Sequence, residues 1–162
     1  MTQKAEFNAE EWSTILEGPA TAGLIVVAAE KGGTIRESVQ IAKVYAEAAK
    51  QHEGPELLNE IVSARPEVDS KRYPSAESLR SDGVARIKEA TDLLERKAQP
   101  EEVEAYKRFI LTVAETAARA HKEGGFLGIG GTEVSDKEQA VLDELAGTLG
   151  ISPADQTAAD AG

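Results

Sequence analysis

The chain has 162 residues, a net charge of −11 and no cysteine. That length suits one domain able to bury a core without covalent staples, and the missing thiols exclude disulfides, thiolate zinc sites and cysteine nucleophiles. Excess carboxylate with only 4% aromatic residues repels phosphate backbones and offers few stacking platforms, so nucleic acid is not an expected partner.

From the N-terminus, Asn8 and Glu11 have capping-box spacing, in which side chain and backbone exchange hydrogen bonds at a helix start. Pro19, Pro55, Pro74, Pro100 and Pro153 read as further starts, because a first-turn proline loses no intrahelical bond. Residues 20–29 are apolar on every side. With no second apolar strand to pair with, they are expected to form a helix at the centre of a bundle. The run is about half of the roughly 20 residues that span a bilayer and no secretory signal precedes it, so a soluble, cytoplasmic chain is expected.

Thr34 and Glu37 form a second capping spacing, opening a helix lined by Val39, Ala42, Ala46 and Ala49. A short helix follows with Leu57, Leu58, Ile61 and Val62 on one face. Residues 65–74 hold two prolines, mixed charges and Tyr73, and read as an exposed connection or a subdomain boundary. Val84, Ile87, Thr91 and Leu94 form the next stripe. Residues 100–122 carry the clearest one, Val103, Tyr106, Ile110, Val113, Ala117 and Ala120 at alternating spacings of three and four. Ser135 and Glu138 cap a last helix with Val141, Leu142, Leu145 and Leu149 inward. The expected fold is all-α, a compact bundle of about seven helices forming one domain over residues 1–151, with a frayed tail at 152–162.

Residues 124–132 gather five of the 14 glycines around Phe126, Leu127 and Ile129. Such density marks a special interhelical loop. The P-loop pattern fits at both glycines and at Thr132, but Gly131 occupies the lysine position and a helix precedes it where the motif needs a strand. The dinucleotide pattern fails at Glu133. Phe126, Leu127 and Ile129 either plug the bundle or touch a membrane or hydrophobic partner, and burial is the more common fate of such side chains.

His52 and His121 fall near predicted helix ends, where imidazole can serve terminal carbonyls. No Glu-x-x-His pair, His-Glu-x-x-His motif or nucleophile elbow is present. Any catalysis would rest on carboxylates, as in a carboxylate-dependent metal hydrolase. Glu123, Glu133, Asp136 and Glu138 bracket the glycine loop, and such oxygen ligands suit calcium or magnesium. Capping and the helix dipole already explain Asp136 and Glu138.

The loop has an earlier echo. Residues 28–37 read Ala-Ala-Glu-Lys-Gly-Gly-Thr-Ile-Arg-Glu, and residues 118–125 lead through the loop to Gly-Thr-Glu-Val-Ser-Asp-Lys-Glu at 131–138. Each copy runs from an alanine-rich helix end through an acid, a glycine pair and a β-branched residue to an acidic helix start, which suggests a duplication. The chain thereby resembles the tellurite-resistance TerB-like family of compact all-helical domains. That resemblance covers roughly residues 20–50 and 110–151. It implies a non-catalytic, acidic stress-response interaction module with a protein partner and no small-molecule substrate. A divalent-cation site of calcium or magnesium type would then fall on Glu30, Glu37, Glu123 and Glu138. The alternative is an amphitropic module whose loop 124–132 touches a membrane peripherally.

Overall fold

A computed structural model describes residues 2–31, 38–51, 54–64, 72–123 and 136–151. These residues form a 3-10 turn at Lys4–Glu6 and six α-helices: α1 Ala9–Lys31, α2 Ser38–Gln51, α3 Glu56–Ser63, α4 Ala76–Lys97, α5 Pro100–Glu123 and α6 Asp136–Leu149. The all-helical expectation holds, with no strand among the described residues. The glycine loop, Thr34, His52, the connection at 65–71 and the tail at 152–162 lie outside them.

The start of α1 follows from local chemistry. Asn8 Oδ1 accepts the Glu11 N–H at 2.9 Å while a Glu11 carboxylate oxygen accepts the Asn8 N–H at 3.0 Å, so the capping box closes in both directions. Phe7 precedes that cap and Trp12 follows in the next turn, their rings 5.9 Å apart, which adds a hydrophobic staple. Both are buried.

Pro19 does not begin a helix. It lies inside α1, which continues unbroken from Ala9 to Lys31. An interior proline leaves the carbonyl four residues earlier without its usual donor, here Ile15. The Tyr106 hydroxyl on α5 supplies it, donating to Ile15 O at 2.7 Å. Gly18 makes the approach possible, because a Cβ there would collide with the Tyr106 hydroxyl. Burial holds the Tyr106 phenol well above its ordinary range, so it stays a neutral donor.

Because α1 is continuous, Ala9–Ala29 is long and apolar enough to cross a bilayer by length and composition, unlike the shorter run read from the sequence. Most of that stretch is buried inside the protein, packed against α2, α4, α5 and α6. The central position expected for residues 20–29 is observed, with Ala20, Ala22, Ile25 and Val26 almost wholly enclosed.

Helix α4 runs antiparallel to α1. Lys97 near its end meets Glu11, Ala90 lies by Gly18, and Gly83 sits where a side chain would press on Thr21 and Ile25. A turn at Ala98 and Gln99 reverses the chain, and α5 then lies parallel to α1, with Glu102 level with Thr2 and Tyr106 level with Ile15 and Gly18. At 1.5 Å per residue, helices of 23 and 24 residues that start level also finish level. The C-terminal ends of α1 and α5 therefore occupy the same end of the bundle.

The expected stripes on α3, α4, α5 (as far as Ala117) and α6 face inward. On α2 the described part of the stripe is rotated: Ala46 is exposed, and Val44, Tyr45 and Ala48 are buried, while the side chains of Val39 and Ala42 lie outside the described residues. Burying valine and tyrosine removes far more apolar surface from water than burying alanines, and that difference sets the helix's rotation. Tyr45 stacks edge-on against Phe109 at 5.5 Å and donates to Ile61 O at 3.3 Å, joining α2, α5 and α3. Tyr73, expected in an exposed connection, is also buried. Pro74 precedes the Ser75 cap of α4 instead of occupying its first turn, and Ser75 and Ser78 supply the capping bonds.

Candidate functional site

The acids expected to hold a cation fall at helix ends. Glu30 is the penultimate residue of α1, Glu123 the last of α5, and Glu138 lies in the first turn of α6. Parallel packing of α1 and α5 brings positions 30 and 123 to one end of the bundle. Glu37 lies outside the described residues, as do Phe126, Leu127 and Ile129. Among the described residues no group of three or more histidines and carboxylates is arranged to hold a metal ion.

Among the described residues, the carboxylates withdrawn from solvent are two that sequence reasoning passed over. Glu17 on α1 is buried and accepts from Arg86 Nε at 3.0 Å, Arg72 at 3.2 Å and Ser13 Oγ at 3.3 Å. Arg86 also reaches Glu89 at 3.2 Å. Burial opposes the charge on Arg86, but the bonds to Glu17 and Glu89 outweigh it and raise its proton affinity. Burial, then the Glu17 charge, raises the Tyr73 phenol. Beside this network Thr21 is fully buried, and its hydroxyl acts on the Tyr73 phenol against that rise. A charged residue immediately before an all-apolar helical stretch was the available signal for Glu17.

Glu102 in the first turn of α5 anchors the N-terminal segment. Its two oxygens accept the Thr2 N–H at 3.0 Å and the Gln99 N–H at 2.9 Å. Burial pushes this carboxyl up, the bonds from Thr2 and Gln99 push it down, and the net effect is below the ordinary value of 4.5. A carboxyl depressed in the folded state stabilises at pH above its unfolded value, and the contribution disappears as pH falls through the folded value. Glu102→Gln is expected to cost about 1–2 kcal/mol at neutral pH and to flatten the acid limb of the stability profile. Denaturant titrations between about pH 7 and pH 3 check this, and an unchanged acid limb contradicts it.

The same segment walls an open groove of about 820 Å³ against α3. Its lining combines Phe7, Trp12 and Ala5 with Lys4, Glu56 and Glu60. Lys4 Nζ sits 5.5 Å from the Trp12 ring centroid and Lys97 Nζ 5.4 Å from that of Phe7. Lys97 also donates to Glu6 O at 3.0 Å and pairs with Glu11 at 2.7 Å. The bond from Lys97, joined by the Asn8 N–H, holds the Glu11 carboxyl below its ordinary value.

No protein-family model matches the chain, and comparisons with curated proteins and with solved structures give no match.

Proposed function

We propose that this protein is a non-catalytic acidic interaction module of the cytosol, built as a TerB-like duplicated helical unit. It binds calcium or magnesium where α1 and α5 end, and the loaded end engages a protein partner. One observation carries the reading. The long helices α1 and α5 have 23 and 24 residues, lie parallel, and end at Lys31 and Glu123 on the same side of the bundle. In each copy the sequence continues through a glycine pair to a helix of 14 residues, α2 or α6. Two matched helix–glycine–helix units are what a duplication leaves behind. Hard oxygen donors carried by two helices that end on the same side of the bundle suit a divalent cation.

A ligand that binds only the folded state raises stability by mass action, by about 2.7 kcal/mol at a hundredfold excess over Kd. For a chain of this size that is a rise of roughly 5–10 °C in Tm. Millimolar calcium or magnesium is expected to produce such a shift in the full chain, and Glu30→Gln with Glu123→Gln is expected to abolish it. A melting curve indifferent to either cation overturns the reading.

A further inference from the structure

The geometry points to a second binding surface, at the opposite end of α1: the groove between residues 2–12 and α3, which accepts an arginine-rich segment of a partner protein. At 1.5 Å per residue it lies about 30 Å from position 30, so it is separate from the cation site proposed above.

Charge and ring chemistry select the occupant. Glu56 and Glu60 are exposed on the groove-lining side of α3, one turn apart, and neither carries an ion pair among the described residues. Glu56 in the first turn also complements the dipole of α3, but Glu60 lies beyond that effect. Opposite these acids are Phe7 and Trp12, and each ring already has a lysine ammonium at cation–π distance. Lys97 is committed to Glu6 and Glu11. Lys4 is exposed and has no ion pair among the described residues, so it is the group a ligand displaces.

A guanidinium suits that position better than an ammonium. It is planar, stacks on an indole and can offer paired N–H groups to a carboxylate. The groove volume of about 820 Å³ is within the range of sites that enclose small ligands, roughly 300–1,000 Å³. The chain's charge of −11 steers a basic segment toward it and repels an acidic one. Lys4 then acts as an internal stand-in that keeps Trp12 covered until an arginine replaces it.

Trp12 is the sole tryptophan, so its emission reports directly on the groove. The full chain, in EDTA so that the cation site plays no part, is titrated with a hexa-arginine peptide. Saturable quenching or shift of Trp12 emission is expected. Glu56→Gln with Glu60→Gln should weaken binding roughly tenfold, and Lys4→Ala should strengthen it several-fold. Glu77→Gln with Asp82→Asn on α4 changes the net charge equally, away from the groove, and should alter affinity less than about twofold. Equal weakening by the two double variants would falsify the site, since it would show general attraction to an acidic protein. Tighter binding of spermine than of the peptide, or weaker binding by Lys4→Ala, also overturns it. Each variant is checked by its melting curve, and these exposed substitutions are expected to leave Tm within a few degrees of the parent.

Discussion

Gly18→Ala is expected to lower stability by about 3 kcal/mol, roughly 6–12 °C in Tm, although alanine is the better helix former. The added methyl would overlap the Tyr106 hydroxyl. Overpacking of this kind costs about 1–3 kcal/mol, and displacing the phenol leaves the Ile15 carbonyl without its donor for about 1–3 more. The propensity gain of about 1 kcal/mol offsets only part of that. Tyr106→Phe alone is expected to cost about 1–3 kcal/mol, because it removes the donor without opening a large cavity.

The two changes should not add. Phenylalanine lacks the oxygen that alanine would strike, so the double variant is expected to be more stable than the sum of the single effects by about 1 kcal/mol or more. Pro19→Ala supplies the missing backbone donor and is expected to rescue Tyr106→Phe. A double-mutant cycle by denaturant unfolding measures both effects, and strict additivity would sink the account.

Glu17→Ala is expected to cost about 2 kcal/mol. Removing one partner of a buried ion pair leaves the others uncompensated, at about 3–5 kcal/mol when all are enclosed. Here Arg72 is half exposed and Arg86 about one-fifth exposed, so water screens part of the loss. Arg86 would keep Glu89, whereas Arg72 would lose the ion pair that ties it to α1. Faster amide exchange at Tyr73 should therefore accompany the loss of stability, with Glu17→Gln intermediate on both measures. Unaltered exchange at Tyr73 would mean that Arg72 does not hold this segment in place.

Features specified by residues a few positions apart are legible in the sequence. The Asn8 and Glu11 cap, the inward stripes of α3 to α6 and the enclosure of residues 20–29 belong to this class, since each depends on spacing within one helix. The buried face of α2 is not, because its alanine stripe competes with Val44 and Tyr45, and periodicity does not weigh side-chain size. Of the candidate site, the acids at 30 and 123 are legible as a sequence echo, but their common end of the bundle is not. The groove is not legible either, because its lining joins residues 2–12 to α3.

By itself, then, the sequence determined the helical class, most core faces, the absence of thiol chemistry and the acidic character of the surface. Only the tertiary structure decided that Pro19 is harmless, because its compensating donor is 91 residues from the carbonyl it serves. It alone joined Glu17 to Arg72 and Arg86, and Thr2 to Glu102 across 100 residues. The physical reason is common to all of these. Hydrogen-bond and ion-pair partners are chosen by helix packing, and packing between distant segments leaves no periodic trace in the chain.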